Sequence, residues 1–142
     1  VYEFAAVADG FVHTVRPRYA EVDMQGVVCN AHWLTYFDDA MTRFFEWLGH
    51  DTRALFLDSG FDCMLVKAVV EWAGPAGWED DVAIAVAPSR IGTASFDIRF
   101  EASVEGRAAC AATITYVSVK RGTHETQPVP AEIRSRLEAV LA

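Results

Sequence analysis

Among the residues of this chain that could do chemistry, a single carboxylate stands out. Asp23 is followed by Met24, Gln25 and Gly26, and six residues separate it from Asn30. After Asn30 the run AHWLTYFDDAMTRFFEWLG places Trp33, Tyr36, Phe37, Ala40, Met41, Phe44, Phe45 and Leu48 at helical spacing along one face. A helix is therefore expected, with Asn30 as N-cap and Gly49 in the left-handed position that ends it. Gly26 tolerates positive φ, and the loop must double back for the aromatic stripe to dock on the rest of the chain. Asp23 then falls near the free N–H groups and the positive dipole end of that helix. A carboxylate beside aimed N–H donors is a minimal acyl-transfer site: the carboxylate attacks or activates water, and the donors hold the oxyanion. The dipole end favours a charged carboxylate, which suits a base or nucleophile better than a general acid. The plain alternative is that Asp23 forms a turn or caps the helix. Glu21 competes with it, because both point to the same side of an extended chain.

Other chemistries find no support. Asp58-Ser59-Gly60-Phe61 reads as a turn, not as a G-x-S-x-G nucleophile elbow. No Gly-rich phosphate loop precedes a helix. Cys29-x-x-His32 with Asp38 falls short of a metal set, because no second Cys or His pair completes it and Asp38 leaves the helix in another direction from His32. No metal and no cofactor are expected. His13, His50 and His124 have no evident partner in the sequence and read as surface or structural residues.

Size and charge narrow the field. The 142 residues suit a single domain, spanning 1–142, with a core that needs no staples. Hydrophobic residues make up 52% of the chain, which excludes disorder. The net charge of −8, with no basic stripe, disfavours nucleic acid as a partner. Cys29, Cys63 and Cys110 are odd in number and widely spaced, which points to a reducing compartment and not to a disulfide framework. No apolar run reaches the ~18 residues of a spanning helix and no h-region opens the chain, which begins at Val1. The expectation is a cytoplasmic protein with no membrane partner.

These residues need elements to hold them. After a lead-in closed by Asp9-Gly10, the alternation of FVHTVRPRY predicts a strand over Phe11–Tyr19, with Pro17 marking an edge or a bulge. A short helix or turn is expected over Asp51–Leu57, closed by Ser59-Gly60. Strands are predicted over Asp62–Trp72, Asp81–Ala87, Thr93–Ala102 and Ala108–Lys120, with turns at GPAGWED, at Ser89–Gly92 and at Glu105-Gly106. Ile133, Leu137, Val140 and Leu141 give a last helix a modest apolar face. Ala83, Ala85, Ala87, Ala109, Ala111 and Ala112 are poor strand formers, and room for a bulky helix is the reason expected for them. The fold class is α+β: one antiparallel sheet wrapped around one long central helix.

The stretch RYAEVDMQGVVCNAHWLTYFD resembles the motif of hotdog-fold acyl-CoA thioesterases, the 4-hydroxybenzoyl-CoA thioesterase-like family. That motif runs from an Arg-Tyr pair to an Asp, then Gly-Val-Val, then Leu-x-Tyr-Phe-acidic. Here these are Arg18-Tyr19, Asp23, Gly26-Val27-Val28, and Leu34 with Tyr36-Phe37-Asp38. Asp80-Asp81, the Ser89–Ser95 turn and Pro128-Val129-Pro130 also have counterparts, so the resemblance extends over residues 11–142. It implies a hotdog fold and a homodimer or homotetramer with active sites at subunit interfaces. It further implies Asp23 as the catalytic carboxylate, and the backbone N–H of Asn30 as the group that polarises the thioester carbonyl. Gly26, Val28, Cys29, His32 and Trp33 are the candidate substrate-binding residues on the motif. Cys29, Asn30, His32 and Trp33 depart from the residues usual at those positions, and they bear on substrate identity more than on chemistry.

The expected reaction is hydrolysis of an acyl-CoA-type thioester to a free acid and CoA. CoA is polyanionic and the chain is acidic, so binding needs local cations. Lys67 and Arg90, with Lys120 and Arg121, are the candidates, read as lying in or beside strand-end turns. The alternatives are an acyl-carrier-protein thioesterase, a hotdog hydratase or dehydratase using a His paired to a carboxylate, and a non-catalytic acyl-thioester-binding protein.

Overall fold

The computed structural model describes residues 10–141. The expected Asp9-Gly10 turn therefore falls partly outside the described residues. Strand β1 (Phe11–Val15) leads to a 3₁₀ turn at Tyr19–Glu21 and then to helix α1 (His32–Trp47). Strands β2 (Phe61–Trp72), β3 (Val82–Ile91), β4 (Ser95–Val104) and β5 (Arg107–Lys120) follow, and helix α2 (Ala131–Ala139) comes last. All pairings are antiparallel and the strand order is β1-β3-β4-β5-β2. Five strands partly wrapped around one long helix make the hotdog architecture, α+β as the sequence implies.

Aromatic contacts fix the helix on the sheet. Phe44 and Trp47 meet Phe11 of β1, each at 5.8 Å between centroids, and Phe37 stacks on Phe100 of β4 at 5.0 Å. On the other flank Phe45 meets Phe56 and Phe56 meets Phe61 of β2, again at 5.8 Å. The stripe Trp33, Tyr36, Phe37, Ala40, Met41, Phe44 and Phe45 is buried as its spacing requires. Gly49 ends the helix at φ +99, and Arg136 of α2 donates to the carbonyl of Leu48. Asp51 accepts from the amide of Ala54 at 3.1 Å and caps a short helix with a π turn over Ala54–Asp58.

Several local expectations need correction. β1 stops at Val15 instead of reaching Tyr19, so Pro17 lies beyond the strand, although β1 does form an edge of the sheet. The Ser89–Gly92 stretch is not a turn: β3 continues to Ile91 through a bulge between Pro88 and Arg90, and the chain turns at Gly92. β1 pairs only with Val82–Val86, so Pro88 sits where β3 has no second neighbour and its missing N–H costs no ladder bond. The alanines do not clear space for the helix as a set. Ala85 pairs with Glu101 and Ala87 with Arg99, on the sheet face away from α1. Ala112 does face the helix, opposite Phe100. Glu105 and Gly106 turn the β4–β5 hairpin with φ of 49° and 78°.

Candidate active site

The loop before α1 doubles back as a small hairpin. The Cys29 amide donates to the Glu21 carbonyl at 2.9 Å, Val22 bridges Val28, and the Asp23 amide donates to the Val27 carbonyl at 2.9 Å. Its tip is the turn Asp23–Gly26, closed by the Gly26 amide on the Asp23 carbonyl at 2.9 Å, with Gly26 at φ +78. A third short strand comes from the β2–β3 loop: Val28 donates to the Ala76 carbonyl at 2.8 Å and Val27 bridges Gly77. Asp23 therefore lies in the hairpin tip.

Its side chain is exposed, and Oδ1 accepts from the Gln25 amide at 2.8 Å. Among the described residues no cation pairs with it. Asn30 lies beyond the other arm of the hairpin, at the head of α1. The N-cap position belongs to Ala31, not Asn30, and no side chain caps the helix. Among the described residues, the amides of Asn30 and Ala31 donate to no protein acceptor. Asn30 is three residues past Val27, a distance along the hairpin on the order of 10 Å. Asp23 and the Asn30 amide thus lie toward opposite ends of one short hydrogen-bonded hairpin.

Glu21, the competing carboxylate, has a different setting. It is 5% exposed, and its oxygens accept from the Arg18 amide (2.8 Å), the Arg18 guanidinium (2.9 Å) and the Tyr36 hydroxyl (3.0 Å). The Arg18 side-chain bond, partly opposed by burial, lowers its pKa to about 2. Burial and the bond to Glu21 raise that of Tyr36. Glu21 fastens the foot of the hairpin to α1, with both its oxygens engaged.

The other candidates scatter. Val28 and Trp33 are 3% and 2% exposed, and Trp33 packs on Tyr36 and Phe37 at 5.6 and 6.1 Å. Cys29 and His32 are half-buried beside the Asn30 amide, and Gly26 is at the tip. Lys67 and Arg90 are not at strand-end turns. Lys67 is mid-strand in β2, opposite Thr115 on the sheet face away from α1. Arg90 is within β3, at the end remote from the hairpin, bound to Asp97 at 3.0 and 3.1 Å and to Ser95 at 2.9 Å. The hairpin end of the sheet instead carries Arg18 and Arg107. Arg107 is opposite Val104, and its guanidinium lies where a Cβ on Gly74 would fall, 2.9 Å away. Its position just past Glu105-Gly106, on the turn side of a hairpin, was the sequence signal for it.

His13 does have a partner. Its Nε2 is 2.8 Å from Asp39 of α1, and the pair borders a cavity of about 450 Å³ between β1 and α1 that also reaches Arg18, Glu21 and Tyr36. Among the described residues, no group of three or more His, Cys, Asp or Glu side chains could hold a metal ion.

The profile of the thioesterase-like superfamily matches residues 17–137, which include the hairpin, α1 and the sheet. The chain belongs to that superfamily. A 1,4-dihydroxy-2-naphthoyl-CoA hydrolase of Nostoc punctiforme is 25% identical over 128 residues, which cover 90% of this chain and 86% of the relative. Among solved structures, a thioesterase-superfamily protein of Jannaschia sp. CCS1 superposes with a TM-score of 0.89 at 20% identity, covering 94% of each chain. A 1,4-dihydroxy-2-naphthoyl-CoA thioesterase from Synechocystis superposes at 0.80 with 17% identity, covering 89% of this chain and 94% of its own. These superpositions bear on the fold. No described helix is long and apolar enough to cross a membrane.

Proposed function

We propose that this protein hydrolyses an acyl-CoA-type thioester to a free acid and CoA, in the cytoplasm and without a cofactor. The observation that carries the reading is the hairpin, which holds the exposed Asp23 carboxylate and the undonated Asn30 amide on one short element. The thioester carbonyl oxygen accepts from the Asn30 N–H, and Asp23 either attacks the carbonyl carbon or takes a proton from an attacking water. In both routes the tetrahedral oxyanion rests on the helix-head amide, the C–S bond breaks, and the sulfur leaves as thiolate and is protonated. In the nucleophile route one water then cleaves the Asp23 acyl anhydride, releasing the acid and restoring the carboxylate. Relatives named for CoA thioesters support CoA over a carrier protein, and Arg107 is better placed than Arg90 for the CoA phosphates. The test is thiol release from a panel of acyl-CoAs by wild type and Asp23→Asn. Turnover that the substitution leaves intact removes Asp23 from the mechanism.

The protein assembles as a homodimer or homotetramer in this reading. β2 is an edge strand of 12 residues with Met64, Leu65, Val66, Val69 and Trp72 exposed, and a long apolar edge of this kind favours pairing with a second copy. A monomer mass by light scattering at micromolar concentration contradicts it. A hydratase or dehydratase is the second reading, favoured by the His13–Asp39 pair on its cavity. Hydration of an enoyl thioester without thiol release, lost in His13→Gln, would establish it.

A further inference from the structure

The hairpin that carries Asp23 is held differently at its two ends. At the foot, the Cys29 amide reaches the Glu21 carbonyl, and the Glu21 side chain reaches Arg18 and Tyr36. Toward the tip, the returning arm takes its backbone partners from the segment that joins β2 to β3. Val28 donates to the Ala76 carbonyl at 2.8 Å, and Val27 bridges Gly77. A two-stranded hairpin is marginal by itself in water, so this third strand decides how firmly the tip is held.

The joining segment depends in turn on Asp80. After the Ala73 and Gly74 amides, which donate to the Ala109 carbonyl at 2.9 and 3.1 Å, the chain leaves β5, and β3 starts at Val82. Between these points Asp80 closes the turn Gly77–Asp80 twice. Its Oδ2 accepts from the Gly77 amide at 2.7 Å, and its own amide donates to the Gly77 carbonyl at 3.2 Å. Glu79, inside the turn, is at φ 65°, a left-handed conformation that costs energy for a residue with a Cβ. The two bonds across the turn hold the backbone there. The turn also meets the hairpin directly. A Cβ on Gly77 would stand 3.4 Å from the Gly26 carbonyl and 3.5 Å from Asp80 Oδ2, which puts residue 77 between the tip and the carboxylate. Trp78, the next residue, meets Tyr19 edge-on at 6.2 Å, where the 3₁₀ turn leads into the hairpin.

We propose that Asp80 is a positioning residue for thioester hydrolysis: by fixing the Gly77 amide it sets the strand that clamps Val27 and Val28, and so keeps Asp23 aimed at the carbonyl carbon. Asp80 acts through the backbone and touches no reacting atom. Over a lever on the order of 10 Å, a swing of about 6° carries the Asp23 carboxylate by roughly 1 Å. A displacement of that size can cost about 10²-fold in rate. This rests on the thioesterase reading for the roles of Asp23 and Asn30.

The experiment takes wild type, Asp80→Asn and Asp80→Ala below their melting ranges. It measures kcat and KM for thiol release, the pH profile of kcat, and amide hydrogen exchange of residues 22–29. Asparagine keeps an oxygen for the Gly77 amide, and alanine does not. Asp80→Ala is expected to lose roughly 10- to 10²-fold in kcat with KM within about twofold. Its residues 22–29 should exchange at least about tenfold faster, while β4 exchanges as in wild type. Asp80→Asn should keep kcat and exchange within about threefold of wild type, with a pH profile of the same shape. An Asp80→Ala with wild-type kcat overturns the proposal, as does one that loses kcat without faster exchange at 22–29. An Asp80→Asn as slow as Asp80→Ala, or with a displaced pH profile, also overturns it, because the effect then belongs to the charge. If wild type releases thiol from no acyl-CoA, the thioesterase reading fails, and exchange alone decides the clamp. Faster exchange in Asp80→Ala, restored in Asp80→Asn, upholds it, and equal exchange in all three overturns it.

Discussion

Glu21 and Asp23 stand two residues apart on one hairpin and have opposite surroundings. Glu21 is 5% exposed and accepts three hydrogen bonds from Arg18 and Tyr36, whereas Asp23 is exposed at the tip and accepts one from the Gln25 amide. A carboxylate whose lone pairs are engaged by a guanidinium, an amide and a phenol stabilises structure, and it has little capacity left to attack or take a proton. A carboxylate held by one backbone bond keeps an oxygen free. The foot of the hairpin therefore serves the fold, and in the proposed function its tip serves the chemistry.

Substitutions can break or sharpen that division. The largest effect is expected from Asp23→Asn, which removes the reacting charge. Thiol release should fall by roughly 10³-fold while the melting temperature stays within a degree or two. Next is the helix-head amide. Asn30→Pro deletes the N–H one residue before the N-cap, where no intrahelical bond is lost, and kcat should drop by about 10²-fold. Asn30→Ala keeps the N–H and should leave kcat within a few-fold. A large loss in Asn30→Ala would shift the role to the side chain.

At the foot, Glu21→Ala should cost on the order of 2–3 kcal/mol in chemical denaturation, since it leaves Tyr36 unpaired in the core. Much of the Arg18 guanidinium is exposed, which keeps the figure from being larger. The pH dependence has a definite sign. The Glu21 carboxyl titrates at about 2 in the folded chain and ordinarily at 4.5, so its contribution is complete above 4.5 and is lost as the pH falls toward 2. Wild type should lose stability over that interval more steeply than Glu21→Gln, as followed by thermal melts. The smallest effect is expected from Arg107→Ala: a several-fold rise in KM for CoA thioesters that shrinks as salt is raised, with kcat little changed.

Much of this division was open to sequence reasoning, and the missing part has a physical cause. Periodicity identified α1 and its buried stripe, because one helix face must meet the sheet whatever the rest of the chain does. The Gly26 turn and the return of the loop followed from the same need to dock. Alternation could not separate Glu21 from Asp23, since both point to one side of an extended chain. The difference lies in Arg18 and Tyr36, one in the loop and one on the helix, which meet Glu21 only after folding. His13–Asp39 was missed for the same reason, at a separation of 26 residues. Arg90 was misjudged because Ser89–Gly92 reads as a turn, while in the sheet Pro88 occupies an unpaired stretch of β3 and lets the strand run on. The alanines misled because alternation gives a strand two faces without saying which one the helix covers.

The most direct test is thiol release and thermal unfolding measured side by side on Asp23→Asn and Glu21→Gln, with one acyl-CoA that wild type turns over. The division of the hairpin predicts that Asp23→Asn is nearly inactive and melts with wild type, while Glu21→Gln melts earlier and keeps most of its turnover when assayed below its melting range. An active Asp23→Asn, or a Glu21→Gln that melts with wild type and has lost its turnover, would contradict it.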